Sequence, residues 1–265
     1  SVAGEDNQGF VWKLNSDGSS LSFTVPLDGS GGDSATSVAV GLNGEIFAAG
    51  STNSSDFPVT PGAYQTVYGG GICGSPETSY PCPDVFVTKI NPATGAVSYA
   101  TFLGGSGYEV WAEVAADQGG HAIVTGQTSS SNFPTTSGSL QAIYGGGSSD
   151  VFLSKFNPAG SDLVYSTYRG GTGSESSGDV VVNTAGSGYL LYSSDTSVVF
   201  EQVSADGSDL LVSASLDGSD ADYGNAIAIQ GCCAFITGFT RSSDFPTTPG
   251  AYQTSFGAAT DGGAS

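Results

Sequence analysis

The feature that most constrains this chain is a phrase that recurs along it in register. Phe10–Asn15 returns as Phe86–Asn91, 76 residues later, and an interval of 66 then carries Lys89 to Lys155. A further interval of 47 leads to a fourth copy. Self-similarity at such a period is typical of repeat architectures, in which each copy packs on its neighbours. The sequence therefore predicts one domain over 1–265 with four repeats, at approximately 9–70, 84–147, 150–197 and 198–256.

Each copy contains four short runs of alternating apolar and polar residues separated by turn signals such as Asn43-Gly44 and Gly119-Gly120. This pattern predicts β-strands joined by tight turns, and the 41 glycines would be poorly tolerated in helices. A single four-stranded meander cannot bury both of its faces, so each copy needs neighbours. The predicted fold class is all-β, a β-propeller of four four-stranded antiparallel repeats. A solenoid or a sandwich would fit this register less well.

A second phrase follows the fourth strand of three copies, at 54–66, 131–141 and 243–254. It carries Phe-Pro in every instance, and the third copy lacks it. Proline and glycine disfavour a ladder strand, so an ordered connector is expected whose aromatic side chains fill the gap between adjacent repeats.

These phrases resemble the bacterial SBBP propeller repeats, most closely at Asp84–Asn91 and Val164–Gly171. The resemblance spans nearly the whole chain and implies a secreted or cell-surface protein without a catalytic motif. The chain departs from the family, which is named for seven blades, in having four repeats. It also has Gln202 where the other copies have lysine.

Charge and hydropathy exclude two classes of partner. Twenty-five acidic residues against five basic ones give a net charge of −20, which repels nucleic-acid phosphates and anionic lipids. No run approaches the 18 apolar residues of a membrane span. We therefore expect no nucleic-acid binding and no membrane insertion.

The four cysteines indicate an oxidising compartment, which places the protein outside the cell or on its surface. Cys73 and Cys82 bracket a proline-containing insertion and are predicted to form a bridge that staples this loop. Cys232 and Cys233 are adjacent, and they form either a strained vicinal disulfide or two small buried thiols.

Four acids occupy equivalent places at the start of the third strand of each copy: Asp33, Glu109, Glu175 and Asp222. If these turns face a common axis, the carboxylates would converge on a calcium ion. The alternative is that each carboxylate accepts hydrogen bonds from turn amides or pairs with a lysine. Asn53 begins the N-glycosylation sequon Asn53-Ser54-Ser55.

Catalysis finds little support in the residue inventory. The single histidine, His121, lies at a turn position where other copies have Glu45 and Cys233, a poor place for a general base. Glu109 and Glu113 would lie ~13 Å apart on a strand, too far for a retaining glycosidase pair. The protein is therefore expected not to be an enzyme, and a polysaccharide-active enzyme is the least supported alternative.

The leading hypothesis is a non-catalytic extracellular protein with a structural or adhesive role that associates with itself. Residues 252–265 repeat a connector that elsewhere leads into a first strand, and residues 1–8 precede a first strand that has no connector before it. The two ends are therefore expected to be complementary, joined within a ring or between molecules in a filament. The alternative is a ligand-binding module for glycan or calcium.

Overall fold

The computed structural model describes residues 7–231, 233–255 and 257, which form β-strands, turns and connectors and contain no helix. The strands of the first half are β1 Gly9–Leu14, β2 Leu21–Leu27, β3 Asp33–Val40, β4 Ile46–Thr52, β5 Ile72–Cys73, β6 Tyr80–Pro81, β7 Asp84–Ile90, β8 Val97–Leu103 and β9 Glu109–Ala116. Those of the second half are β10 Ala122–Thr128, β11 Asp150–Phe156, β12 Leu163–Arg169, β13 Glu175–Val182, β14 Gly188–Ser194, β15 Ser197–Val203, β16 Leu210–Asp217, β17 Asp222–Gln230 and β18 Cys233–Thr240. The prediction of an all-β chain is confirmed.

The strands form five main antiparallel sheets, numbered here in chain order. Sheets II, III and IV have four strands each, β3-β4-β7-β8, β9-β10-β11-β12 and β13-β14-β15-β16. Sheet I is the pair β1-β2 and sheet V is the pair β17-β18, while β5 and β6 form a small separate hairpin. The prediction of four-stranded antiparallel sheets is thus confirmed for the middle of the chain.

The sheets do not coincide with the sequence repeats, which differs from the prediction that each copy forms its own sheet. Every four-stranded sheet combines the third and fourth strands of one copy with the first and second strands of the next. In sheet II, β4 pairs with β7 in an unbroken register from Ile46–Ile90 to Thr52–Asp84, across the connector and the disulfide hairpin. The ladder forms there because the connector returns the chain to the sheet edge that it left.

The core lies between successive sheets, which pack face to face. Phe86 of sheet II packs with Val11 of sheet I, and Phe152 of sheet III packs with Val87 of sheet II. Tyr165 and Leu190 join sheets III and IV, whereas the cluster between sheets IV and V is small and centres on Leu191, Val198 and Ile227. The apolar packing therefore thins toward sheet V.

The strands that come first in sheets II, III, IV and V are β3, β9, β13 and β17. Each of them contacts the next one in this series. Thr36 on β3 donates its hydroxyl hydrogen to the carbonyl of Ala112 on β9 at 2.6 Å, and the amide of Ile227 on β17 donates to Asp179 on β13 at 2.9 Å. We call these four the inner strands. Each carries a bulge in its pairing with the neighbouring strand of its own sheet.

The connectors cover the outer strands of sheets II and III. The amide of Thr60 donates to Ala100 on β8, and the amide of Phe102 donates to the carbonyl of Gln65, so the 53–71 connector continues the ladder beyond β8. Residues 136–141 repeat this pattern on β12. The ring of Tyr64 reaches Phe156 of sheet III, 6.0 Å away, which confirms that connector aromatics fill the gap between neighbouring sheets.

The predicted bridge between Cys73 and Cys82 is confirmed and closes the β5–β6 hairpin. Cys233 begins β18. Cys232 lies outside the described residues, so the vicinal pairing stays a prediction.

Candidate functional site

The four acids singled out from the sequence are the first residues of the four inner strands, and all are buried. Each is held within its own turn. Asp33 accepts hydrogen bonds from the amide of Gly29 at 2.7 Å and the hydroxyl of Ser54 at 2.9 Å. Asp222 repeats this with Gly218 at 2.8 Å and Ser242 at 3.1 Å.

The two glutamates are held in the same way. Glu109 accepts hydrogen bonds from the amide of Gly105 at 3.0 Å and the hydroxyl of Thr128 at 2.5 Å. Glu175 accepts one from the hydroxyl of Ser194 at 3.0 Å. The alternative of local turn contacts therefore describes all four acids.

No group of three or more His, Cys, Asp or Glu side chains that could hold a metal ion occurs among the described residues. Each of the four carboxylates instead accepts a hydroxyl hydrogen from a serine or threonine 19–21 residues further along the chain. Calcium binding by these residues stays a prediction.

Two of the acids have a carboxyl partner that sequence reasoning missed. Asp84 is the first residue of β7, and its carboxyl group and that of Glu109 both lie beside Gly104. A Cβ atom added to Gly104 would be 2.5 Å from Asp84 Oδ1 and 2.7 Å from Glu109 Oε2. Asp150 and Glu175 flank Gly170 in the same manner, with Oδ1 and Oε2 each 2.7 Å from that point. Both pairs join adjacent sheets, and the interval of 66 residues relates one to the other.

The paired carboxyls are short of hydrogen-bond donors. Asp84 Oδ1, Asp150 Oδ1 and Glu175 Oε2 are buried and have no hydrogen-bond partner among the described residues. Burial raises the pKa of Asp84 to about 7 against the turn amides of Gly69 and Gly70, which lower it. Burial likewise raises the pKa of Glu109 to about 7, and the Asp84 charge adds to this. A proton shared by each pair would satisfy these oxygens.

The repeated lysines tie sheets together on the opposite rim. Lys155 Nζ donates to the carbonyls of Gly186 and Ala205 in sheet IV, at 3.2 and 3.1 Å, and forms an ion pair with Asp117 at 3.0 Å. Lys89 makes the equivalent contacts in sheet III and lies over the ring of Phe47. These lysines are structural, since the side chain of Lys155 is almost completely buried.

His121 and Asn53 also have local structural partners. His121 Nδ1 lies 2.9 Å from Asp117 Oδ1, so the carboxylate that binds Lys155 holds the imidazole as well. Asn53 Nδ2 donates to the carbonyl of Pro81 in the disulfide hairpin. Glycosylation of Asn53 stays a prediction.

Sheet I exposes several large apolar side chains. Phe10, Trp12 and Leu14 on β1 are 50, 56 and 60% exposed. The equivalent strands β7 and β11 are buried along their whole length. The pairing differs as well: β7 and β11 pair on both sides, whereas in the part of the chain that the structure describes β1 pairs with β2 alone.

Sheet V also has two strands where sheets II to IV have four, and its two are the third and fourth strands of a repeat. Strand β18 corresponds to β4 and β10, which have a first strand on their far side, but within the described residues it pairs with β17 alone. Phe235 and Phe239 on β18 are 58 and 50% exposed. Sheet I thus corresponds to the first-strand half, and sheet V to the third-strand half, of a sheet of the kind seen in sheets II to IV.

Two grooves lie beside sheet V, in the space that first and second strands occupy at the other junctions. One groove of about 240 Å³ lies between sheets IV and V and is lined by Val198, Leu216, Phe239 and Phe245. A second, of about 370 Å³, is lined by Phe200, Val212 and Ala234 and contains Gln202, the residue that replaces the repeated lysine. At the other junctions the corresponding space is filled by the first and second strands of a sheet.

Comparisons with known proteins add no function. No family model matches the chain, and no curated protein is similar to it in sequence. A solved structure of a protein of unknown function from Bacteroides caccae is 13% identical and has a TM-score of 0.38, and the match covers 89% of this chain and 84% of that one. A search of the described residues for a helix long and apolar enough to cross a membrane finds none.

Proposed function

We propose that this protein is a non-catalytic structural protein of the extracellular space that assembles head to tail. Sheet V of one copy takes up sheet I of the next copy, and β18 pairs with β1. The product is a propeller-like series of four-stranded sheets, in keeping with the resemblance to the SBBP repeats. A head-to-tail contact of this kind propagates when it does not close within one molecule.

The observation that carries the proposal is a stack of two phenylalanine rings that sheets II and III contain and that the two half-sheets do not form. In sheets II and III a connector phenylalanine stacks on a first-strand phenylalanine, Phe57 on Phe86 and Phe133 on Phe152, each at 4.5 Å. The equivalent residues in the two half-sheets are Phe245 and Phe10.

Neither of these two rings is stacked in the same way. Phe10 is half exposed and lies against Trp12, and no ring contact of Phe245 is found within the described part of the chain. Joining sheets I and V would bring Phe10 and Phe245 together.

The register of the joined sheet follows from the existing ones. Gly50 pairs with Phe86 and Gly126 with Phe152, and the ring of Phe152 passes over Gly126 so closely that a Cβ there would lie 2.8 Å from it. The same alignment sets Gly238 opposite Phe10. Phe239 would then lie opposite Gly9, so a large side chain meets a glycine at two successive positions.

Burial supplies the driving force. Phe10, Trp12 and Leu14 would enter the environment in which Phe86, Thr88 and Ile90 have no exposed surface. Burying a large apolar side chain contributes about 1.5–3 kcal/mol, so several such residues can offset the entropic cost of association. The Cys73–Cys82 disulfide supports the extracellular assignment, because such bridges persist in oxidising compartments.

Sedimentation and electron microscopy of the purified protein over a range of concentrations test the proposal. The wild type is expected to form elongated particles that grow with concentration. Trp12→Asp should weaken assembly by about tenfold or more, since it places an unpaired charge in the joint. Ile143→Asp is the matched control, because Ile143 is 79% exposed on a connector and lies outside the joint.

Two results would overturn assembly. One is a wild type that stays monomeric at millimolar concentration, including a monomer in which Phe10 and Phe245 stack within one chain. The other is a Trp12→Asp variant that assembles like the wild type.

A further inference from the structure

Strand β16, the outer strand of sheet IV, is exposed at every residue. The equivalent strands β8 and β12 are largely buried. Two features account for this: β14 and β15 are joined by a two-residue turn at 195–196, where the other copies have a long connector, and Val212 and Leu216 border the open grooves beside sheet V. No chain segment therefore continues the ladder beyond β16 within the described residues.

The outward hydrogen-bonding groups of β16 can be assigned from its equivalents. Ala100 and Ser166 accept connector amides through their carbonyls, and they correspond to Ser213. Phe102 and Tyr168 donate their amides to connector glutamines, and they correspond to Ser215. The carbonyl of Ser213 and the amide of Ser215 thus point away from β15.

A connector from another molecule does not match this edge. Thr101 and Thr167 bind the amides of Gln65 and Gln141 through their hydroxyls, at 2.9 and 2.8 Å, and the equivalent residue in β16 is Ala214. The hydroxyl that positions the backbone of a connector is therefore missing from β16.

The edge also lacks the features that prevent strand pairing. Proteins blunt exposed edges with proline or charged residues, particularly lysine. Strand β2, the other uncovered outer strand, has Pro26 at the position of Ser215, which removes the outward amide. From Leu210 to Leu216, β16 contains neither a charge nor a proline.

We infer that β16 is a lateral self-association site, at which the β16 strands of two copies pair antiparallel and join two copies of sheet IV into one eight-stranded sheet. A second copy is the occupant favoured by charge. In a chain of net charge −20, the uncharged segment from Leu210 to Leu216 is a surface on which two copies meet with little local repulsion. An antiparallel pair centred on Ala214 sets Ser213 opposite Ser215 and Val212 opposite Leu216, so the strand is complementary to itself.

This association does not depend on the joint between sheets I and V, and the test separates the two. In the Trp12→Asp background, sedimentation equilibrium should detect a dimer that strengthens as added salt screens the acidic surfaces. Ser215→Pro should weaken this dimer by about tenfold or more, because it removes an outward amide without removing a bond of the β15–β16 ladder. Ser215→Ala should dimerise like its parent.

Ser213→Glu provides a second disruption that keeps every backbone amide and should also weaken the dimer, while circular dichroism verifies that each variant is folded. A Trp12→Asp protein that is monomeric at millimolar concentration and high salt would overturn the inference. So would folded Ser215→Pro and Ser213→Glu variants that dimerise as tightly as their parent.

Discussion

Phe133 of a connector stacks on Phe152 of β11 with their ring centroids 4.5 Å apart, and both rings are buried in the core between sheets II and III. The same contact recurs as Phe57 on Phe86 between sheets I and II. This stacking pair is thus a feature of the repeat. In the proposed assembly, a third such pair forms between Phe245 of one copy and Phe10 of the next.

Alanine substitutions should separate the folding role of this contact from its assembly role. Phe133→Ala removes a buried ring and should lower the free energy of unfolding by about 3–5 kcal/mol in urea denaturation. Phe245→Ala should leave the stability of the monomer nearly unchanged and weaken assembly, because its ring is only partly buried. Equal loss of monomer stability in the two variants would contradict the assignment of Phe245 to the joint.

The buried carboxyl pairs should make stability fall as the pH rises. Burial raises the pKa of Asp84 and of Glu109 to about 7, above the values of 3.8 and 4.5 that these groups have when unfolded. The folded protein therefore holds protons that the unfolded chain releases, and stability declines from about pH 4 to about pH 7 before it levels off. The melting temperature measured across this range is expected to decrease.

Asp84→Asn provides the matched variant, since its amide can donate to Glu109 at any pH. The slope of melting temperature against pH should become shallower in Asp84→Asn and stay unchanged in Glu77→Gln, which alters an exposed acid. Groups whose pKa is lowered act in the opposite sense below about pH 4. Asp117 is one: burial raises its pKa, but the hydrogen bonds from His121 and Lys155 outweigh this. A melting temperature that rises steadily from pH 4 to 7 would refute the proton-sharing pairs.

Removal of Lys155 should be among the most damaging single changes. Lys155→Met keeps most of the apolar stem but leaves Asp117 without its lysine and the carbonyls of Gly186 and Ala205 without a donor. The expected loss is about 3–5 kcal/mol in urea denaturation, the usual cost of breaking a buried ion pair. Lys13→Met is the control and should cost much less, because Lys13 is only partly buried and forms no ion pair among the described residues, although it donates to the carbonyl of Pro92. A Lys155→Met protein as stable as the wild type would show that this ion pair contributes little.

Much of the local structure could be predicted because each signal is contained in a short stretch of chain. Alternation predicted the strands, paired glycine and asparagine residues predicted the turns, and the spacing of Cys73 and Cys82 predicted the bridge. The acid that the sequence places at the start of each third strand is the first residue of that strand in the structure, as Glu175 is in β13.

The carboxyl pairs could have been found from the sequence in principle. Asp84 and Asp150 recur at the same interval as Glu109 and Glu175, but nothing local indicates that two residues 25 positions apart meet at a glycine. The recurrence of Lys89 and Lys155 at one repeat position is visible in the sequence, yet their partners on the next sheet could not be named. Such contacts depend on how sheets pack, which no short pattern records.

The sequence by itself determined the order of the repeated strands and the antiparallel hairpins that join first to second and third to fourth strands, because alternation and turn chemistry act over a few residues at a time. Only the tertiary structure decided which strands share a sheet, since β4 could have ended one sheet or, as it does, continued across a connector to β7. The repeat is periodic, so its boundary can be drawn at any strand, and only hydrogen bonds between distant segments select one. Among the described residues, that selection gives β1 and β18 one ladder partner each, where β7 and β4 have two.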